Sequence, residues 1–118
     1  MKNDLSISEI QKYQKQIWEK NKDRWTPMKP EYAKDFILYM IEEIGETIAI
    51  IKKKGAKQIM DDPTVRERFI EEMSDVLMYY ADVLNRFDIS AEELSKIYLK
   101  KCQINLKRDF EKDHKKAK

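Results

Sequence analysis

Two glycines and three prolines are all that interrupt this chain of 118 residues, and that scarcity of breakers constrains its fold more than any other feature. A turn-rich β-fold needs such residues at short intervals, whereas long helices do not. Charged residues make up 39% of the sequence, which suits helices with broad solvated faces. The length fits one domain, residues 1–118, with a real though modest core. No internal repeat or low-complexity linker divides it.

Breakers and apolar period together predict four helices. The first runs from about Ser6 to Trp25, where Ser6 and Glu9 make a capping-box pattern and Ile10, Tyr13, Ile17 and Trp18 form a thin apolar stripe. Pro27 and Pro30 then break the chain. The second begins near Pro30, a residue tolerated in a first turn, and is predicted to end at Gly55. Lys52, Lys53 and Lys54 fill its last turn and complement the helix dipole. Its expected buried face is Phe36, Ile37, Met40, Ile44, Ile48 and Ile51. Asp62 as N-cap and Pro63 open the third helix, whose wide stripe includes Phe69, Met73, Val76, Leu77, Tyr80, Val83, Leu84 and Phe87. Ser90 with Glu93 opens the fourth, which carries Leu94, Ile97, Tyr98 and Ile104 and is expected to reach Phe110. Long helices with short connections predict an all-α, mostly antiparallel four-helix bundle. The stripes are wide enough to bury surface in an oligomer as well.

A net charge of +2 is close to balance, so no basic face for nucleic acid is expected. Lys112, Lys115, Lys116 and Lys118 gather at the C-terminus and read as a solvated tail. The single cysteine, Cys102, allows no intrachain disulfide and reads as a packing residue. No apolar signal core opens the chain and no apolar run is long enough for a bilayer, so a cytoplasmic protein with no membrane partner is expected.

The chemistry-bearing residues are carboxylates. Glu42, Glu43 and Glu46 sit on the second helix, Glu72 and Asp75 on the third. Glu43 and Glu46 are three apart, as are Glu72 and Asp75, so each pair lies on one side of its helix. At about 100° per residue Glu43 and Glu72 border their apolar stripes, with Glu46 and Asp75 the next step outward and Glu42 farther round. If the two helices are neighbours, both pairs face one groove. Helix-surface acids usually have Lys or Arg three or four residues away; among these five only Glu72 does, in Arg68. A lone EExxE is a common string on charged helices, but with ExxD on the next helix and few basic partners it points to a bound cation, because crowded anions at a core edge are costly. Carboxylate oxygens without His or Cys suit hard ions, Mg²⁺ or Mn²⁺. The only histidine, His114, lies in the charged tail, so zinc lacks ligands here.

The run Glu42-Glu43-Ile44-Gly45-Glu46, followed after a spacer by Glu72-Met73-Ser74-Asp75, resembles the EExxE…ExxD signature of the MazG-like nucleotide pyrophosphohydrolases, in the all-α NTP pyrophosphatase superfamily. The likeness covers roughly residues 31–108 and is fairly specific for the superfamily but not for substrate. It implies that Glu43, Glu46, Glu72 and Asp75 hold Mg²⁺ and that Glu42 is an auxiliary ligand or orients the attacking water. It also implies hydrolysis between the α- and β-phosphates of a nucleoside triphosphate, and assembly as a dimer or tetramer. Independently, Lys101, Asn105 and Arg108 continue the face begun by Leu94, Ile97 and Tyr98; either that face stays inward, where a Lys, an Asn and an Arg suit phosphates and base edges, or the helix frays and the stripe emerges into solvent past Tyr98. That pattern is similar to the last helix of the family.

The expected mechanism is metal-assisted hydrolysis in which Glu42 or Glu46 helps deprotonate the water and Lys101 and Arg108 offset charge on pyrophosphate. Trp18, Trp25 and Tyr39 are aromatic candidates for stacking on a base, Trp18 foremost, although aromatics at helical spacing are more often core. Lys53, Lys54 and Lys57 read first as a solvated charge run and second as an attractor of phosphates. Two alternatives remain: a non-catalytic helical interaction module, and a related pyrophosphohydrolase acting on phosphoribosyl-ATP. A P-loop is absent, as are the Glu-x-x-His pairs of a di-iron bundle.

Overall fold

The computed structural model describes residues 3–109. Phe110, Lys112, His114, Lys115, Lys116 and Lys118 lie outside the described residues. Four helices account for most of the chain: α1 Ile7–Asn21, α2 Ala33–Asp61, α3 Pro63–Arg86 and α4 Ala91–Lys107, with a short 3-10 helix at Pro30–Tyr32. No strand occurs among the described residues. The chain divides into two compact units at the junction of Asp88 and Ile89, and α4 belongs to the second.

The expected start signals operate as local hydrogen bonds. Ser6 Oγ accepts from the Glu9 amide at 3.2 Å while Glu9 Oε1 accepts from the Ser6 amide at 2.9 Å. Ser90 and Glu93 repeat that box at α4, at 3.1 and 3.2 Å. Asp62 Oδ1 accepts from the amides of Thr64 and Val65, and Pro63 supplies the first turn of α3. These contacts satisfy donors that a helix end otherwise leaves unpaired.

The predicted stops need correction. The first helix ends at Asn21, not Trp25. Asn21 Nδ2 donates to the Ile17 carbonyl at 2.8 Å, and the amides of Arg24 and Trp25 fold back on the Asn21 carbonyl. A short amide side chain competes with the helix ladder in this way. The second helix does not stop at Gly55. Helix resumes beyond it to Asp61, and Gly55 alone leaves helical geometry, at φ 81° and ψ 159°. Ile59, buried in the resumed piece, explains why the chain continues. Glycine supplies the one dihedral pair that a side chain would resist. The fourth helix ends at Lys107.

The largest correction concerns which faces are covered. On α2 the covered seam is Ala33, Phe36, Met40, Glu43, Thr47 and Ile50, at alternating steps of three and four. The expected core residues Ile37, Ile44, Ile48 and Ile51 stand one position over and are exposed, together with Ile41. On α3, Phe69, Glu72, Val76, Tyr79 and Val83 are half-buried and Asp82, Leu84 and Arg86 buried, while Met73, Leu77, Tyr80 and Phe87 are exposed. Apolar period alone could not choose between adjacent stripes when both are rich in isoleucine and leucine.

A single residue, Asp62, joins α2 to α3, so the two must run antiparallel. Residues meet in reversed order: Phe36 with Tyr79, Glu43 with Glu72 and Asp75, and Lys53 with Thr64 and Arg68. Helix α1 packs on another side of α3, where Ile10, Tyr13 and Ile17 approach Ser74, Leu77 and Met78, and Asn85 Nδ2 donates to the Gln11 carbonyl at 3.1 Å. One buried cation ties the connection between α1 and α2 to α3. Arg86 donates to Asp82 and to the Pro27 carbonyl, both at 2.5 Å, and its guanidinium lies over the Phe36 ring. No described helix is long and apolar enough to cross a membrane.

Candidate metal centre

At the middle of the covered seam between α2 and α3, Glu43 and Glu72 occupy positions that the period would give to hydrophobic side chains. Asp75, one turn on from Glu72, completes a cluster: one carboxylate oxygen from each of Glu43, Glu72 and Asp75 lies within 4.8 Å of the others. Helix period places each acid, and the reversed order of the hairpin brings them together.

Electrostatics records the crowding. The Glu43 carboxyl is pushed up to about 7, first by a hydrogen bond shared with the Glu72 side chain. Desolvation in the seam adds to this, as do the charges of Glu72, Asp75 and Glu46. The cluster therefore retains a proton near neutrality where an ordinary glutamate would not. The donor set, three carboxylates from two rigid helices with no nitrogen or sulfur ligand, fits a hard divalent cation. Such an ion would replace the shared proton as the neutralising charge.

Two of the five expected acids stand apart from this trio. Glu46 is exposed and lines a neighbouring cleft, although its charge reaches Glu43. Glu42 is exposed as well, and its charge reaches Tyr79. Arg68, the one basic neighbour anticipated for Glu72, forms no ion pair among the described residues.

Aromatic rings flank the acids on the side where α2 begins. Phe36 and Tyr39 pack edge to face, with centroids 5.4 Å apart. Tyr79 lies 6.0 Å from Tyr39 and 6.4 Å from Phe36. Burial first, then the charges of Glu43 and Asp75, hold the Tyr79 hydroxyl above its ordinary value of 10.0. Phe36 was expected on the covered face of α2 and is half-buried there; Tyr79 is the residue the period did not single out. The signal existed for Tyr79, since Tyr39 stands one turn before Glu43 and Tyr79 one turn after Asp75.

The remaining candidates lie elsewhere. Trp18 is half-buried and its Nε1 donates to the Thr26 carbonyl at 2.8 Å, so its polar edge holds the loop after α1. Trp25 is exposed. Lys101 and Asn105 are exposed on α4, and Arg108 is the C-cap of that helix, its amide donating to the Asn105 carbonyl. They belong to the second unit. No family model matches the chain, and no curated protein or solved structure matches it significantly.

Proposed function

We propose that this chain is a Mg²⁺-dependent nucleoside triphosphate pyrophosphohydrolase of the MazG-like kind, converting a (d)NTP and water to the monophosphate and pyrophosphate in the cytoplasm. The observation that carries the reading is the convergence of Glu43, Glu72 and Asp75 in the covered seam between α2 and α3, with Glu43 held protonated up to about 7. Uncompensated carboxylates are costly in such a place, and a divalent cation relieves the cost.

In this reading Glu43, Glu72 and Asp75 hold the ion and Glu46 joins them from the rim. An ion held by these residues would supply charge neutralisation for the triphosphate and a lowered pKa for water. Glu42 or Glu46 takes a proton from the attacking water, whose oxygen bonds to the α-phosphorus. The bond from that phosphorus to the bridging oxygen breaks, and pyrophosphate leaves with the electron pair. Tyr39 and Tyr79 supply a ring surface beside the reacting centre for a base or sugar. The resemblance further implies that Lys101, Asn105 and Arg108 bind substrate, in a chain whose fold is a mostly antiparallel four-helix bundle. The exposed isoleucines of α2 support a homodimer or homotetramer.

The test is release of pyrophosphate from a panel of canonical and damaged (d)NTPs and phosphoribosyl-ATP, with and without Mg²⁺. Asp75→Asn and Glu46→Gln should abolish the Mg²⁺-dependent signal while circular dichroism stays unchanged. Wild-type activity in both variants would discredit the assignment.

A second reading, a non-catalytic helical interaction module, draws on that same exposed isoleucine face. Thermal melting separates the two, because a metal site raises Tm with rising Mg²⁺ and a bare module does not.

A further inference from the structure

Along the groove between α2 and α3 the chemistry changes in one direction. Phe36, Tyr39 and Tyr79 stand where α2 begins, and Glu43, Glu72 and Asp75 come next. One to three turns farther, before the break at Gly55, a cleft of about 210 Å³ opens between the helices. Glu46, Lys53, Lys54, Thr64 and Arg68 line it above Ile50. Three cations thus face one carboxylate, and that carboxylate is on the side of the acidic cluster.

These cations are not neutralised within the fold. Neither Lys53, Lys54 nor Arg68 forms an ion pair among the described residues, whereas Lys57 is held by Asp61 at 3.3 Å. The start of α3 is not what attracts an anion here, since Asp62 already takes the amides of Thr64 and Val65. The side chains themselves make the positive field, and they come from two helices whose separation the seam fixes. Size narrows the guest. Pockets for whole small molecules run from about 300 to 1,000 Å³, and this cleft lies below that range. It suits part of a polyphosphate chain better than a whole nucleotide.

We propose that this cleft is the subsite for the two terminal phosphates of a polyphosphate chain, so that a nucleotide lies along the groove with its base toward Tyr39 and Tyr79 and its β- and γ-phosphates between Lys53, Lys54 and Arg68. The direction of the nucleotide rests on the pyrophosphohydrolase reading; the anion site does not. When the bond to the bridging oxygen breaks, the electron pair goes to the departing pyrophosphate. The cations therefore face the group on which negative charge grows, and they strengthen their hold as the reaction proceeds. Arg68 suits a two-point contact with phosphate oxygens, and the lysines act as point charges.

Tripolyphosphate, titrated calorimetrically into the full chain without Mg²⁺, tests this directly. The double variant Lys53→Ala/Arg68→Ala should bind about tenfold more weakly or worse, with a parallel rise in KM and weaker product inhibition by pyrophosphate. Lys57→Ala, outside the cleft and of equal charge change to either single substitution, should stay within about twofold. Wild-type affinity in the double variant overturns the proposal, as does a loss of equal size in Lys57→Ala, or tighter binding of a polyglutamate peptide than of tripolyphosphate. If the protein releases no pyrophosphate from any nucleotide yet binds tripolyphosphate through these bases, the hydrolase reading falls and the anion site stands. If it is active and the cleft variants match wild type, the reverse holds.

Discussion

The guanidinium carbon of Arg86 sits 3.7 Å from the centre of the Phe36 ring. Phe36 in turn touches Tyr39 and Tyr79, whose hydroxyl titration feels Glu43 and Asp75. A buried cation and a half-buried acidic cluster are thereby joined through three rings.

Among the described residues Asp82 is the only carboxylate that pairs with Arg86, and both are buried. Asp82→Ala strands a charge in the interior and should destabilise the fold by about 3–5 kcal/mol, read by urea denaturation. Replacing both at once, Asp82→Leu with Arg86→Met, should cost less than Asp82→Ala alone, since no unpaired ion remains.

The Glu43 carboxyl gives a pH dependence of defined sign. Its folded value, about 7, lies above its reference value of 4.5, so between these limits the native chain binds more protons than the unfolded one. This contribution is full below about 4.5 and is lost as pH rises through about 7. Metal-free protein should show that loss in its melting temperature relative to Glu43→Gln, and added Mg²⁺ should reverse it at pH 8. Binding of Mg²⁺ near pH 6 should release a proton, visible as a buffer-dependent heat.

Gly55 adopts φ 81°, where a Cβ is strained although nothing crowds it within 4 Å. Gly55→Ala should therefore destabilise the protein by about 1 kcal/mol or more, whereas the same change at the regular helical position Gly45, which also has open space around it, should stabilise by about 0.5–1 kcal/mol. Thermal unfolding of the two variants distinguishes them.

The exposed run Ile37, Ile41, Ile44, Ile48 and Ile51 follows the alternating steps of a helix-packing seam. If this run forms the proposed homo-oligomer interface, Ile44→Asp or Ile48→Asp should lower the assembly state, measured by sedimentation velocity, while leaving the α2/α3 hairpin helical. An unchanged sedimentation coefficient in both would place the interface elsewhere.

Much of this was readable in the residues. Ser6, Asp62 and Ser90 announced three helix starts because capping is a contact within one turn. The pairing of Glu43 with Glu72 and Asp75 followed from helix period once the two helices were taken as neighbours. What failed depended on distant contacts. Phe36 and Met40 were expected on the covered stripe and are there, but the choice of Thr47 and Ile50 over Ile44, Ile48 and Ile51 was set by the partner helix, and the continuation past Gly55 by the burial of Ile59. The separation of Glu46 from the trio also lay beyond period, because Glu43 and Glu46 share one side of α2 and only the position of α3 tells them apart.

The single-residue joint at Asp62 has a kinetic consequence. Glu43 and Glu72 are brought face to face by closing one local hairpin, with no need for α1 or α4. Such short-range contacts are the quickest to form as a chain collapses. Like charges must then meet at an early step, so hairpin closure should be slowest in alkaline, chelated solution, and a divalent cation should act first as an accelerator of folding.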